Sequence, residues 1–173
     1  MKLYLNLLKH ILFNNLNIIP TPSLCTFLVT WRCELKCYMC RIPGLKDKNE
    51  MDTSQVKAIF NDLNTLDVVR ITGGEPFVRK EIFDILEKIY ENRHKLRFTI
   101  MSNGFYITKD IAKKLKDLNI DNFQISIEGE EHTNDYIRGK GAYKRIVDGA
   151  KILVEEGIHT SFSFTATSIN SKE

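Results

Sequence analysis

The sequence predicts an α/β domain built on one parallel, curved sheet, and three observations predict it. Short runs rich in β-branched and aromatic residues alternate with segments of helical periodicity, at the repeat of roughly thirty residues typical of βαβ units. No low-complexity linker interrupts the series within the 173 residues, so the length is that of one domain with a real core. The strand-like runs also alternate apolar and polar residues, whereas a parallel strand covered on both faces reads as a continuous apolar run. Helices can then cover only one face. The other face must line something polar, and a sheet curved around a cofactor or substrate cavity satisfies that.

The elements follow in order. Residues 1–20 form an expected N-terminal amphipathic helix, with Leu5, Leu8, Leu12, Leu16 and Ile19 on the face packed to the domain. Asn6, Lys9, His10, Asn14, Asn15 and Asn17 interrupt any signal-peptide core, and the segment is a lead-in rather than a transmembrane span. Pro20-Thr21-Pro22 ends it, so the core domain is taken as 21–173. The first strand is expected over Cys25 to Trp31. A helix from Asp52 to Leu66 follows, with Asp52 and Gln55 as a capping pair. Val68 to Thr72 is the second strand, and Lys80 to Tyr90 the next helix. Leu96 to Ser102 is the third strand, after which Thr108 caps a helix carrying Ile111, Leu115 and Leu118. Phe123 to Glu128 is the fourth strand. An acidic loop separates it from a helix carrying Ile146, Val147, Ala150, Leu153 and Val154, and Thr160 to Thr167 is the fifth strand. By the period of two, Phe123, Ile125, Phe162 and Phe164 should pack under helices, while Gln124, Ser126, Glu128, Ser161, Ser163 and Thr165 face the concavity.

Charge and cysteine usage narrow the class. The net charge is +3 with basic residues scattered along the chain, which does not indicate nucleic-acid binding. Four cysteines, three of them within eight residues, are not a disulfide framework, and free thiols of this kind belong in a reducing, cytoplasmic compartment. The fourth, Cys25, sits in an apolar run and reads as a buried core thiol.

Cys33, Cys37 and Cys40 carry the chemistry, in a Cys-x3-Cys-x2-Cys spacing. Thiolates hold iron–sulfur clusters, and a four-iron cube with three cysteines keeps one iron open. A structural zinc site is the alternative, although zinc closes with four ligands and no second cysteine knuckle is present. Ligands in parallel α/β folds gather at the C-terminal ends of strands. Each distinctive motif falls there: the cysteine loop, Gly73-Gly74-Glu75-Pro76, Ser102-Asn103-Gly104, and Ser126-x-Glu128-Gly129. Each has an ordinary reading as a turn or strand end. Together, in this order across residues 25–167, they resemble the core of the radical S-adenosylmethionine (radical SAM) superfamily. The Ser-Ile-Glu-Gly stretch and Tyr136-Ile137-Arg138-Gly139 look nearest to the peptide-maturase (SPASM-type) and molybdopterin-cyclase branch.

That resemblance implies an incomplete TIM-like partial barrel, in which Cys33, Cys37 and Cys40 ligate a [4Fe-4S] cluster and the open iron chelates S-adenosylmethionine (SAM). It also implies reductive cleavage of SAM to a 5′-deoxyadenosyl radical. The Gly73-Gly74-Glu75-Pro76 turn would offer backbone groups to the methionine amino group. Asn103, Ser126 and Arg138 would contact the cofactor, Arg138 either as a clamp on its carboxylate or as a solvated loop cation. Glu128 would reach a ribose hydroxyl or the substrate, or serve only as a polar strand-end residue. Met39 stands where the family carries an aromatic residue, with Tyr38 one place earlier, so adenine packing is expected to differ. The implied partners are an external electron donor such as a flavodoxin or ferredoxin and an unidentified substrate, a peptide or a small molecule. The family core has six βα units, five strands are found here, and Asn170-Ser171-Lys172-Glu173 looks like the cap of an unfinished helix, so a chain truncated before a sixth strand is expected. The competing class is a non-catalytic iron–sulfur electron-transfer or zinc-binding module.

Overall fold

Apolar residues at alternate positions drive the sheet together. Val69, Ile71, Phe98, Ile100, Phe123 and Ile125 are each at most 1% exposed, all on one face. The computed structural model describes residues 5, 8, 11, 12, 22–42, 45, 49–63, 65–91 and 96–172. Its strands are β1 (Leu24–Leu28), β2 (Val68–Thr72), β3 (Arg97–Ser102), β4 (Asn122–Ser126) and β5 (Thr160–Ser163). They form one sheet in the order β1-β2-β3-β4-β5, with every neighbouring pair parallel. The connecting helices are α1 (Thr53–Asp62), α2 (Ile82–Glu91), α3 (Lys109–Asp117), α4 (Glu131–Arg138) and α5 (Ala142–Glu155). Consecutive strands lie side by side, as right-handed βαβ crossovers wound in one direction require.

Helix starts follow local chemistry. Asp52 and Gln55 form the expected capping box on α1, and the Thr108 hydroxyl accepts the Ile111 N–H at the start of α3. Val56 and Phe60 of α1, Ile85, Leu86 and Ile89 of α2, and Ile146 and Leu153 of α5 complete the core over the apolar sheet face. Cys25 is partly buried against this core, and burial pushes its thiol pKa up.

The structure corrects the sequence reading in three places. The expected acidic loop after β4 contains α4, whose only buried apolar side chain is Ile137. One apolar position leaves no periodicity to read, and tertiary bonds hold this helix instead. Asn134 Oδ1 accepts the Glu128 N–H, and the Asp135 carboxylate accepts the N–H groups of Gly141 and Tyr143. The fifth strand is shorter than expected. Its last ladder bond is Ile127 N–H to Ser163 O, beyond which the Glu128 carboxylate accepts the Thr165 N–H and draws the chain out of the sheet. Finally, Phe162 and Phe164 are 53% and 49% exposed rather than packed under helices. Phe162 shares the face of Ile125, its register partner, but β5 is the sheet edge and α5, which touches that strand, leaves Phe162 half exposed.

Of the expected N-terminal helix, Leu5, Leu8, Ile11 and Leu12 are described. They are helical and more than half exposed, so packing onto the domain is not found there, and the rest lies outside the described residues. No helix among the described residues is long and apolar enough to cross a membrane.

The two phenylalanine environments predict different costs. Phe123→Ala should destabilise the domain by about 3–5 kcal/mol, as a large-to-small change in a packed core does. Phe162→Ala at the open edge should cost under about 1 kcal/mol. Urea titration of both variants checks this, and equal losses would mean that the edge is covered in solution.

Candidate cofactor site

The cysteine loop leaves β1 and is pinned at its start and again farther along. Glu50 accepts bonds from the Thr30 hydroxyl, the Trp31 N–H and the Arg32 guanidinium, which fixes the exit from the strand. At the second point, the Tyr38 N–H donates to Ile137 O at the C-terminus of α4, at 2.8 Å. The glycine turn after β2 packs directly on the loop. Gly74 N–H donates to Thr30 O and Glu75 N–H to Arg32 O, each at 2.8 Å. A Cβ on Gly73 would lie 2.5 Å from Thr30 O, and one on Gly74 would lie 2.2 Å from Arg32 O. No side chain fits there, which is why the pair must be Gly-Gly.

Behind this turn sits Glu75, fully buried. Its carboxylate accepts the Ser102 hydroxyl at 2.9 and 3.0 Å, the Asn103 N–H at 2.8 Å and the Phe77 N–H at 3.1 Å. It therefore ties the end of β2 to the end of β3. Burial pushes its pKa up to about 7, offset in part by those hydrogen bonds. Asn103 is equally engaged: its amide donates to Glu34 of the cysteine loop, and its carbonyl accepts the Phe105 N–H.

Arg138 ends α4 with a side chain only 9% exposed, so it is not a solvated loop cation. One terminal nitrogen pairs with Glu128, which is 1% exposed, and the other lies 4.0 Å from Cys37 Sγ. Its Nε is buried with no partner among the described residues. The second Glu128 oxygen takes the Thr165 N–H, so both oxygens are engaged within the protein. Asn170 locks the same corner, donating to Glu128 O and Thr165 O and accepting the Thr167 N–H.

These elements enclose a cavity of about 330 Å3. Cys33, Cys37, Cys40, Met39, Gly73, Gly74, Asn103, Ser126 and Arg138, all singled out from sequence, line it. Glu75, Pro76 and Glu128 do not; they stand behind the wall and hold it. Met39 takes the inward place, whereas Tyr38 is 73% exposed and lies against Tyr136. Thr165, expected on the concave face, lines the cavity too, whereas Thr72 and Met101 were not singled out as site residues. Strand-end position was the available signal for both. Glu34 was also missed, since its role as partner of Asn103 exists only after folding.

The three cysteines are free, with Cys33 and Cys37 part-buried and Cys40 exposed. Burial pushes the Cys33 thiol up to about 11 and raises that of Cys37, which the nearby Arg138 charge opposes. Among the described residues, no three His, Cys, Asp or Glu side chains converge as a cage for a single metal ion. Three thiols on one cavity are the donor type that iron–sulfur clusters take.

The buried Glu75 predicts a pH effect. Between the ordinary carboxylate value of 4.5 and about 7, the folded protein holds a proton that the unfolded chain has lost. This group therefore makes folding less favourable as pH rises through that window, by up to about 3 kcal/mol. Glu75→Gln should flatten that part of the urea stability curve and lower stability below pH 5, where an amide replaces a well-bonded carboxyl. An unchanged pH dependence would show Glu75 ionised throughout.

Relatives bear on this geometry. The radical SAM superfamily profile matches residues 27–170. An Fe-coproporphyrin III synthase of Methanosarcina barkeri is 33% identical over 150 residues, covering 84% of this chain and 37% of that protein. The mycofactocin maturase MftC of Mycolicibacterium smegmatis is 32% identical over 143 residues, covering 80% and 36%. The chain thus spans little more than a third of the length of these relatives. In fold it is similar to Streptococcus suis SuiB, with a TM-score of 0.77 to the form bound to S-adenosylmethionine, at 23% identity and covering 92% of this chain and 38% of that one. The form of SuiB bound to its precursor peptide SuiA gives a TM-score of 0.76, at 22% identity and covering 95% and 38%. Sequence profile, partial-barrel fold and strand-end cavity agree: the chain belongs to the radical SAM superfamily, a family of enzymes that use a [4Fe-4S] cluster and S-adenosylmethionine.

Proposed function

We propose that this chain holds a [4Fe-4S] cluster on Cys33, Cys37 and Cys40 and binds SAM in the adjoining cavity, for reductive cleavage to a 5′-deoxyadenosyl radical that modifies a substrate. The observation that carries this is the convergence of the three thiols with Gly73, Gly74, Asn103, Ser126 and Arg138 on one cavity. When bound, the cluster and SAM supply an electron and a carbon radical able to take a hydrogen atom from substrate.

The chain's own residues bind and orient. The N–H groups of Gly74 and Glu75 are taken by Thr30 and Arg32, while the carbonyls of Gly73 and Gly74 accept no bond from the described residues. Carbonyls are what a methionine ammonium group needs. Arg138, held by Glu128 and with Nε unpaired, is the cation for the methionine carboxylate. Met39 offers an apolar, adaptable surface for adenine. Glu128 acts as the residue that positions Arg138. The substrate is a peptide or small molecule on the polar face of the sheet, and the electron comes from an external donor such as a flavodoxin or ferredoxin. Thiols kept for a cluster need a reducing compartment, which supports a cytoplasmic location.

Anaerobic purification should yield iron and sulfide together with the absorption and EPR spectra of a [4Fe-4S] cluster. Cys33→Ala, Cys37→Ala and Cys40→Ala should each lose the cluster, and Cys25→Ala should keep it. Stoichiometric zinc without iron would establish the zinc-module reading instead.

Arg138→Ala should weaken SAM binding by about 2–5 kcal/mol, roughly thirtyfold to a few thousandfold, because it leaves a charged partner unpaired. The cluster spectrum should be unchanged, and dithionite-driven release of 5′-deoxyadenosine should fall in parallel. Cofactor affinity equal to that of the unsubstituted chain would remove Arg138 from the site.

A further inference from the structure

Arg70 of β2 and Arg97 of β3 are exposed on the polar face of the sheet. Their flanking neighbours Val69, Ile71 and Phe98 are fully or almost fully buried on the opposite face, so alternation fixes where the two arginines stand. Arg70 is paired with Thr99, and Arg97 lies two residues before Thr99 on the same strand. A step of about 4.8 Å across and about 6.6 Å along the sheet separates their Cα atoms by roughly 8 Å, within the span of two long side chains converging on one group. Neither makes an ion pair or a side-chain hydrogen bond among the described residues. The five strands contain no acidic residue at all. Glu128, just beyond β4, is bound to Arg138 and Thr165.

Arg70 lies in a polar row, whereas Arg97 stands one row nearer the strand starts, beside Val68. Thr26, Arg70, Thr99 and Asn122 are successive register partners across four strands. His159, just before β5, lies beside Asn122, with its Nδ1 2.9 Å from Asn122 Oδ1. The next row toward the strand ends holds Thr72 and Met101, which line the cofactor cavity. The two rows are two residues, or about 6.6 Å, apart. Exposed arginines on an outer surface are usually only solvated. Arg70 stands mid-strand and Arg97 opens β3, both on the face of the sheet that carries the cavity-lining Thr72 and Met101 farther along.

We propose that Arg70 and Arg97 form the anchor for an oxyanion of the substrate, a carboxylate or a phosphate. The inference rests on the radical reading above and names its substrate class: a molecule that carries an anionic group apart from the carbon that loses hydrogen. The planar guanidinium fork matches either oxyanion bidentately, and a lysine in its place would not. Fixing one end of the substrate on the rigid sheet orients the other end toward the strand-end cavity.

The test is calorimetric titration of the reconstituted chain at low salt with inorganic pyrophosphate and, separately, with propane-1,2,3-tricarboxylate. At least one should bind at one per chain, with an affinity that falls as salt rises. Binding of pyrophosphate alone assigns a phosphate-bearing substrate, and binding of the tricarboxylate alone a carboxylate-bearing one. The Arg70→Gln/Arg97→Gln double variant should bind at least about tenfold more weakly, with the cluster spectrum and SAM affinity unchanged. Lys113→Gln, on the exposed side of α3, should bind as the unsubstituted chain does. Should the glutamine pair fail to fold, Arg70→Lys/Arg97→Lys keeps the charge, removes the fork and should still weaken binding several-fold. No binding of either probe to a chain with an intact cluster, or equal binding by the double variant, overturns the anchor and leaves the radical reading in place. Arginine-dependent binding by a chain that assembles no cluster has the reverse meaning: the oxyanion site stands and the radical reading falls.

Discussion

Two glycines lying against two backbone carbonyls decide where the cofactor site can form. Gly73 and Gly74 let the end of β2 approach the Thr30–Arg32 backbone so closely that any side chain would collide with a carbonyl oxygen. The amide–carbonyl bonds from Gly74 and Glu75 then fix the cysteine loop to the sheet. Loops are ordinarily the mobile part of a fold, and free thiols on a mobile loop have no defined arrangement. Here the loop inherits the rigidity of the strands. The same turn directs Glu75 inward, where its carboxylate collects donors from β3 and from the start of the turn that follows. Three strand ends are thereby joined through one short stretch of backbone and one buried acid.

The second organising contact is the Glu128–Arg138 pair. Burying two charges costs several kcal/mol of desolvation per ion, and a pair of this kind is rarely retained for stability alone. Its geometry suggests the reason for keeping it. Glu128 follows β4 and Arg138 closes α4, so the pair ties the end of α4 to the end of β4 beside the cavity. Ile137 O then accepts the Tyr38 N–H of the cysteine loop. The loop is thus held from two sides, by β2 at its start and by α4 near its middle. Arg138 keeps one unpaired nitrogen in that wall, which is costly unless something completes it.

The polar sheet face divides into two zones along the strands. At the C-terminal ends stand thiols, glycines and short polar side chains suited to a cofactor. Farther down lie arginine, asparagine and histidine. In parallel sheets such a face is usually covered by helices, and its polarity has no packing explanation.

Much of this was legible in the chain itself, for reasons that are local. Period-two alternation in Phe123-Gln124-Ile125-Ser126 placed the strands and their faces, because burial of one face demands it. Asp52, Gln55 and Thr108 marked helix starts because capping bonds span three residues. Cys33, Cys37, Cys40 and the Gly-Gly pair pointed to the candidate site because their spacing is part of the proposed chemistry. What depends on residues far apart in sequence could be decided only by folding. Glu75 was read as part of a turn and proved to be a buried clamp, since its donors lie 27 and 28 residues away. Helix α4 carries almost no apolar period and exists through bonds to Glu128, Gly141 and Tyr38. Phe162 and Phe164 have the pattern of core residues, yet β5 is an edge strand, and an alternating pattern specifies which face a side chain takes without specifying whether anything covers it.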